Sequence, residues 1–188
     1  MTKPLVFLLT PSITYLTANA QWERCKGKFA TNDVYQFISL DNKVYAGTKQ
    51  GIIISEDGIH WNDLIETKHP VTKLYQFEQI LFGVYGYNHL DVIYSTDKSK
   101  SWKVLNTDTL KNFTRNIFSL LYDRGSIFLA TGKGIYKTSD WGASWKLITN
   151  KIIGNNTVHS KIIRVQDRYY AMDRKKQLYH SEDWGRTW

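Results

Sequence analysis

Four aspartates recur at nearly constant spacing, and carboxylates in such a series suit one of two kinds of chemistry. Asp57, Asp97, Asp140 and Asp183 each stand two residues after a Ser or Thr and shortly before a Trp. In a cleft, a carboxylate acts as a general acid or base. In a tight turn, it accepts hydrogen bonds from backbone N–H groups of its own loop. Because the neighbouring residues are small hydroxyl and turn-forming types, the pattern favours the structural role.

The segment around each aspartate is one copy of a repeat. The tryptophans that close the copies are Trp61, Trp102, Trp145 and Trp188, separated by 41, 43 and 43 residues. Chance does not produce this spacing, and a period of about 40 residues is typical of repeat architectures. The residues expected to build the four turns are Ser55, Asp57 and Trp61, then Ser95, Asp97 and Trp102, then Asp140, Gly142 and Trp145, and finally Ser181, Asp183, Gly185 and Trp188.

The repeat resembles the Asp-box, or BNR repeat, of sialidase-like, sortilin-like and photosystem II assembly-factor-like proteins, whose pattern is Ser-x-Asp-x-Gly-x-Thr-Trp. Residues 181–188 match it completely, the third copy replaces the outer hydroxyls conservatively, the second has Ser99 in place of Gly, and the first is one residue short. The resemblance implies a β-propeller. It also implies that the boxes lie away from any active site.

The residues between the boxes alternate with period two and are interrupted by short turns, which predicts four antiparallel strands per repeat. Innermost strands are expected over 34–39, 74–78, 117–122 and 162–166, and the fourth strands start at each Trp. The fold class predicted is an all-β propeller of four-stranded blades, with four blades visible. The last blade lacks its own outer strand, so either residues 22–25 complete it and close a four-bladed ring, or the chain is part of a larger propeller. The size of Asp-box relatives favours the larger propeller.

Residues 1–20 read as a signal peptide, and residues 21–188 as the propeller domain. Lys3, the apolar stretch 5–9 and Ala18-Asn19-Ala20 have the order that an export signal requires, although an ordinary N-terminal strand is the alternative. Export predicts a secreted, periplasmic or cell-surface protein. No other stretch approaches the length of a membrane span. Cys25 is the only cysteine, which excludes an intrachain disulfide.

The chain has 25 Lys+Arg against 17 Asp+Glu, a formal net charge of +8, which favours anionic partners. The basic residues are scattered over loops, so a nucleic-acid partner is not predicted. No metal-ligand spacing and no cofactor motif occurs. In a propeller, one face is built from loops opposite the boxes, and simple solvated charge is the alternative to a binding site there. The candidate binding residues are Lys49, Tyr87, His89, Arg115, Lys133, Arg164, Arg174 and Lys175.

Two polar rows are expected along the central channel when the innermost strands are aligned by their starts. One row is Gln36, Gln76, Ser119 and Arg164, and the other is Asp33, Lys73, Asn116 and Lys161. Such rows line a water-filled tunnel or ligand site, or they form hydrogen bonds between blades.

These features predict an exported, non-catalytic binding module for an anionic glycan or protein. One alternative is the N-terminal part of a sialidase-like or other glycoside hydrolase, and a second is a purely structural surface repeat. The Phe-Arg-Ile-Pro-like motif of sialidases does not occur in the chain, which favours a non-enzymatic protein, and no catalytic residue is assigned.

Overall fold

The structure is a computed structural model that describes residues 25–27, 33–86, 91–111, 116–149, 161–173 and 176–188. The predicted signal peptide lies outside these ranges, as do the candidate binding residues Tyr87, His89, Arg115, Arg174 and Lys175.

The described chain consists almost entirely of strands. Its one helix, α1, has four residues, so no helix in these ranges is long or apolar enough to cross a membrane. The elements are β1 (Lys26–Gly27), β2 (Val34–Leu40), β3 (Lys43–Thr48), β4 (Gly51–Ser55), β5 (His60–Glu66), β6 (Val71–Phe77), β7 (Ile80–Tyr85), β8 (Asp91–Ser95), β9 (Lys103–Leu105), α1 (Asp108–Lys111), β10 (Ile117–Asp123), β11 (Ser126–Thr131), β12 (Gly134–Thr138), β13 (Lys146–Thr149), β14 (Lys161–Val165), β15 (Arg168–Met172) and β16 (Leu178–Ser181).

The strands form four sheets, and within each repeat consecutive strands pair antiparallel. Blade 1 is β2–β5 with β1 at its outer edge, blade 2 is β6–β9, blade 3 is β10–β13, and blade 4 is β14–β16. The first strands, β2, β6, β10 and β14, lie side by side in chain order. This arrangement confirms the predicted all-β propeller with four visible blades.

The segment near the N-terminus packs on blade 1. Lys26 and Gly27 pair in parallel with His60 and Trp61 of β5, and Cys25 packs beside Trp61. The alternative in which residues 22–25 supply the missing strand of the last blade stays a prediction, because residues 22–24 lie outside the described ranges. Blade 4 has three described strands, and Lys26–Gly27 pairs with blade 1 instead.

Successive blades are held together by apolar clusters between their flat faces. Tyr45 and Ile52 of blade 1 pack with Leu74 of blade 2, and the same kind of cluster joins blades 2 and 3 and blades 3 and 4. Each large buried side chain contributes about 2 to 3 kcal/mol. A blade with a neighbour on each side has strands that are buried on both faces. In blade 3, for example, all six residues of β11 are buried.

Several local details differ from the sequence prediction. The fourth strands do not start at the Trp residues, because β5 starts at His60, β9 at Lys103 and β13 at Lys146. Strand β6 starts at Val71 rather than Leu74, because Val71 is fully buried between blades 1 and 2. Residues 108–111, for which no strand is predicted, form α1, which is anchored by the buried side chain of Leu110.

Candidate functional site

The two ends of the blades carry different turns. We call the end with the four aspartate segments (55–61, 95–102, 138–145 and 181–188) the Asp-turn face; the turns from first to second strands lie on it too. The opposite end is the loop face, where second strands turn into third strands and β2, β6, β10 and β14 begin.

Asp140 shows how an Asp turn is built. Its Oδ1 accepts from the Thr138 hydroxyl at 2.6 Å and from the Ser144 N–H at 2.9 Å, while its Oδ2 accepts from the Ser144 hydroxyl at 2.5 Å. Thr138 Oγ1 in turn accepts from the Gly142 N–H at 2.9 Å. Asp183 has the same partners at the same offsets, namely Ser181 and Thr187. The carboxylate thus closes its own loop.

The two turns that depart from the repeat pattern keep this bonding with substitutions. In the second turn Ser99 takes the glycine position with φ 68°, and its hydroxyl is 3.0 Å from the Tyr45 hydroxyl of blade 1. In the shorter first turn, Asp57 accepts from the N–H groups of Ile59 and His60 and bonds the His60 ring at 2.6 Å. The imidazole replaces the hydroxyl that the other turns use.

These hydrogen bonds lower the pKa of the four carboxyl groups. Bonds from the side chain of Ser101, Ser144 and Thr187, respectively, are the largest cause at Asp97, Asp140 and Asp183, where the pKa falls to about 2. The bond from the His60 side chain holds the pKa of Asp57 well below its usual range. Groups with such low pKa values stay ionised at neutral pH, which does not suit proton donation.

The tryptophans of the repeat pack beside the turns. Trp61 is buried, Trp102 packs against the cluster between blades 1 and 2, and the Trp145 N–H donates to the Asn106 carbonyl at 2.8 Å. The Trp188 N–H donates to the Gly185 carbonyl at 3.1 Å. Gly142 admits no side chain, because a Cβ there would clash with the Asn106 carbonyl oxygen.

Lys49 and Lys133 lie exposed on the loop face, in matching two-residue turns of blades 1 and 3. Thr48 and Thr131 shape these turns by donating to the carbonyls of Gly51 and Gly134 at 3.1 and 2.8 Å.

Three acidic groups on the loop face are already engaged. Lys111 Nζ is 3.1 Å from Asp91 and 2.9 Å from Asp108. Asp173 is buried, and its carboxylate accepts from the Gln177 N–H at 2.9 Å. The negative charge of these three groups is therefore locally compensated or directed into a turn. Asp33 and Glu66 are also exposed on this face, but five exposed lysines outnumber them, namely Lys49, Lys68, Lys133, Lys161 and Lys176.

A cavity of about 570 Å³ lies on the axis between the inner strands of all four blades. Its polar lining consists of Ser39, Gln76, Ser119, Lys161 and Arg164, and the apolar part includes aromatic side chains. No carboxylate lines it in the described part of the chain. The apolar and aromatic lining residues are Ile38, Leu74, Tyr75, Phe77, Leu120, Leu121, Ile162 and Ile163.

Strand register corrects the two predicted polar rows. Counted from the hairpin ends, Gln36, Lys73, Ser119 and Lys161 occupy one level, each four residues before its strand ends. Aligning the predicted strand starts was wrong because the starts vary among blades, whereas every inner hairpin closes in the same way. A second level, one residue before the strand ends, consists of Ser39, Gln76, Tyr122 and Arg164, while Asp33 and Asn116 precede their strands.

The first of these levels joins neighbouring blades. Gln36 bonds both backbone groups of Leu74, at 2.8 Å to the carbonyl and 3.2 Å from the N–H. Lys73 Nζ donates to the Ile117 carbonyl at 3.0 Å, and burial lowers the pKa of this lysine. Ser119 accepts from the Ile162 N–H at 3.3 Å. The hydrogen-bond network between blades, one of the two alternatives for these rows, is thus present at three residues.

Arg164 lies at the Asp-turn end of the axial cavity, away from Lys49 and Lys133, because it is the penultimate residue of β14. Its Nη1 donates to Asp123 Oδ1 at 2.8 Å, and the hydroxyl of buried Tyr169 donates to Asp123 Oδ2. Burial and the bond to this carboxylate raise the pKa of Tyr169. Asp123 and Tyr169 are 46 residues apart and carry no repeat signal, so the sequence did not indicate this cluster.

A second cavity, of about 480 Å³, lies next to this cluster on the Asp-turn face. Phe77, Glu78, Asp123, Arg124 and Arg164 contribute to its lining. Over the described ranges no group of three or more His, Cys, Asp or Glu side chains is placed to hold a metal ion.

Comparison with known proteins supports the fold. No protein-family model and no curated protein matches the chain. Among solved structures, the computationally designed Ika4 protein is similar with a TM-score of 0.58 and 11% identity, over 84% of this chain and 94% of that one. The extracellular domain of BT4673, a putative one-component system from B. thetaiotaomicron, has a TM-score of 0.60 and 16% identity, over 79% of this chain and 21% of that one.

YCF48 from Cyanidioschyzon merolae is similar with a TM-score of 0.56 and 14% identity, over 76% of this chain and 50% of that one. A structure of YCF48 bound to D1 peptide gives a TM-score of 0.58. The chain thus spans about half of YCF48 and about a fifth of the BT4673 domain. At these identities the likeness establishes the propeller fold of this chain.

Proposed function

We propose that the chain is an exported, non-catalytic propeller of the BNR/Asp-box type that binds an anionic segment of a protein partner in its axial cavity. Four turns closed by a Ser/Thr-x-Asp hydrogen-bond pattern support the repeat family. The sequence of residues 1–20 supports export.

The lining of the axial cavity is the observation that carries this proposal. Two cationic side chains, Lys161 and Arg164, face a space of about 570 Å³ that no described carboxylate lines. Arg164 is partly neutralised by Asp123, so Lys161 and the polar Gln76 are the groups most available to an anion. Leu and Ile side chains in the same lining suit an extended peptide with alternating acidic and apolar residues.

Charge on the loop face supports entry of an anionic partner from that end. Lys49, Lys133 and Lys161 are exposed there, while Asp91 and Asp108 are paired with Lys111. Cations near an opening increase the local concentration of anionic ligands and the rate of encounter. A peptide complex of the similar protein YCF48 gives this use of the fold a precedent.

An anionic glycan is the second candidate ligand. The stacked rings of Tyr75 and Phe77, 6.4 Å apart with 8° between their planes, belong to the cavity lining and offer the kind of flat apolar surface on which sugars pack. Most glycoside hydrolases use two carboxylates that flank the substrate, and sialidases use a Tyr nucleophile instead of one of them. The described lining of the axial cavity supplies none, which favours binding over hydrolysis.

A charge series at Gln76 tests the proposed site. Gln76 is exposed within the cavity, so its replacement leaves the core intact. The probes are a fluorescein-labelled peptide of alternating Glu and Leu, its Lys/Leu counterpart, and sialyllactose and hyaluronan oligosaccharides. We expect Gln76→Glu to weaken binding of the Glu/Leu peptide about tenfold, which corresponds to about 1.4 kcal/mol, and Gln76→Lys to strengthen it.

The matched control is Asn62→Asp, which adds the same charge on the outer strand of blade 1 and outside the cavity. It is expected to leave affinity unchanged in fluorescence polarisation. If only the oligosaccharides bind, and if Gln76→Glu weakens and Gln76→Lys strengthens their binding, the ligand of the cavity is an anionic glycan rather than a peptide. Equal binding of the Glu and Lys peptides, or no binding of any probe, would leave the structural-repeat alternative and reject the proposal.

A further inference from the structure

The second cavity, on the Asp-turn face, combines both signs of charge with apolar surface. Arg124 and Arg164 line it together with the carboxylate of Glu78, and Phe77 and Leu121 supply apolar groups. Its volume of about 480 Å³ is that of a small-molecule site. A cavity with this lining suits a ligand that itself carries a positive and a negative group.

Hairpin turns of three successive blades place the polar groups of this cavity. Glu78, Arg124 and Gln166 are each the first residue after the inner strand of blades 2, 3 and 4, and each begins a two-residue turn. Their φ values are 55°, 47° and 54°. Two-residue hairpin turns favour positive φ because the backbone twist then matches that of the flanking strands. The three side chains therefore start from equivalent points around one opening.

Asp167 marks the position that an anionic group occupies in the cavity. Its Oδ1 lies 3.2 Å from Arg124 Nη2 and 3.3 Å from Arg164 Nη2. The Asp167 side chain is 86% exposed, and ion pairs that are this exposed contribute little to stability. A ligand carboxylate can therefore replace Asp167 between the two guanidinium groups.

Other contacts hold the two guanidinium groups in place. Arg164 Nη1 donates to Asp123 Oδ1 at 2.8 Å, and Asp123 Oδ2 accepts from the Tyr169 hydroxyl. The guanidinium carbon of Arg124 lies 3.9 Å from the centre of the Trp184 ring. Asp123 also lines the cavity, but both of its oxygens are already bonded. Its charge is offset by Arg164, which leaves the charge of Arg124 for a ligand.

Glu78 supplies the opposite charge. It belongs to blade 2, whereas the two arginines belong to blades 3 and 4. The residue is exposed at the cavity, and no cation of the described ranges pairs with its carboxylate. An ammonium group is the complement of such a carboxylate, and the apolar side chains of Phe77 and Leu121 suit an aliphatic group beside it.

We propose that the second cavity binds a small zwitterion with an aliphatic side chain, that is, a free amino acid or a dipeptide. Its carboxylate lies between Arg124 and Arg164 in place of Asp167, and its ammonium group pairs with Glu78. The site differs from the axial cavity because it requires both charges on one ligand. The two cavities share only the wall formed by Phe77, Leu121 and Arg164 in the described part of the chain.

An NMR titration of the full ¹⁵N-labelled chain tests the proposal. The probes are L-leucine and L-leucyl-L-leucine, together with N-acetyl-L-leucine and L-leucinamide, which each lack one of the two charges. We expect one of the zwitterions to bind with a Kd below about 1 mM and to shift the backbone N–H signals of Arg124 and Gln166. Each singly charged analogue should bind at least about fivefold more weakly. Tighter binding of leucine assigns a free amino acid, and tighter binding of the dipeptide assigns a peptide.

Two variants test the two charged groups separately. Glu78→Gln should raise the Kd of leucine about fivefold and leave that of N-acetyl-leucine unchanged, because only leucine has an ammonium group. Arg124→Gln should weaken the binding of both of these ligands but not that of leucinamide. Glu56→Gln is the matched control, since Glu56 is an exposed glutamate of the same face on blade 1 and does not line the cavity. It should leave every Kd unchanged.

Asp167→Ala gives a result that a purely structural role of this cluster does not produce. Removal of the competing carboxylate should tighten the binding of leucine about threefold. Weaker binding in this variant, equal binding of leucine and N-acetyl-leucine, or no binding of either zwitterion up to about 10 mM would overturn the proposal. The dispersion of the NMR spectrum shows whether each variant is folded, and Arg124→Lys replaces Arg124→Gln if that variant is not.

Discussion

Arg164 and Asp123 connect the fourth blade to the third, with Nη1 of the arginine 2.8 Å from Oδ1 of the aspartate. The Asp123 side chain is 8% exposed, and its second oxygen accepts from the Tyr169 hydroxyl. A carboxylate removed from water in this way is stable only because both of its oxygens are bonded.

Replacement of Asp123 should therefore be costly. We expect Asp123→Ala to lower the free energy of unfolding by about 3 kcal/mol, because it leaves the Arg164 charge and the buried Tyr169 hydroxyl without their partner. Urea denaturation measures the change. Asp167→Ala is the control, since Asp167 also bonds Arg164 but is 86% exposed, and its loss should cost less than about 1 kcal/mol. Equal losses of unfolding free energy in Asp123→Ala and Asp167→Ala would contradict the inference that burial makes the Asp123 hydrogen bonds important for stability.

Gln36 should stabilise the contact between blades 1 and 2. It satisfies both the N–H and the carbonyl of Leu74, so Gln36→Ala leaves two backbone groups without their side-chain partner. We expect a loss of about 2 kcal/mol in the free energy of unfolding. Gln50→Ala, in an exposed turn of the same blade, should change it by less than about 0.5 kcal/mol. A similar change in the free energy of unfolding for Gln36→Ala and Gln50→Ala would show that water replaces the hydrogen bonds of Gln36.

Stability should fall at acidic pH as the Asp turns protonate. The pKa of Asp140 is about 2 in the folded chain, below its ordinary value of 3.8. A lowered folded-state pKa contributes stability that is fully present above about pH 5 and is lost progressively as pH falls through about 2. We expect Asp140→Ala to lower the melting temperature by about 3 °C at pH 5, and the gap to the unmodified protein to narrow at pH 2. Thermal melts at both pH values measure it, and a constant gap would contradict the assignment.

Two glycines with positive φ separate backbone strain from steric exclusion. Gly58 has φ 76° and open space where a Cβ would stand, whereas a Cβ on Gly142 would clash with the Asn106 carbonyl oxygen. Gly58→Ala should cost about 1 kcal/mol from the left-handed backbone alone. Gly142→Ala should cost about 3 kcal/mol, because the backbone of residues 106 and 142 must separate. Chemical denaturation measures both free energies. Equal losses for Gly58→Ala and Gly142→Ala would show that the contact between residues 106 and 142 rearranges to admit the methyl group.

Much of the fold follows from short-range sequence features. The Ser/Thr-x-Asp spacing places hydroxyl, carboxylate and N–H groups within one loop, so the hydrogen bonds of Asp140 and Asp183 depend on few residues beyond that loop. Period-two alternation between the turns then predicts the strands, and repetition predicts the blades. Local sequence patterns predict strand starts less well. Strand β6 begins at Val71 because this side chain is buried between two blades, and a local pattern carries no information about contacts between blades.

The sequence by itself determined the blade type, the blade order and the residues of the four turns, because each depends on neighbours a few positions away. Only the tertiary structure decided which polar groups meet between blades: Lys73 with the Ile117 carbonyl, and Asp123 with Arg164 and Tyr169. These partners are more than 40 residues apart, and their pairing depends on the register of separate sheets around the axis. A change of one residue in that register would turn each side chain to the other face of its blade.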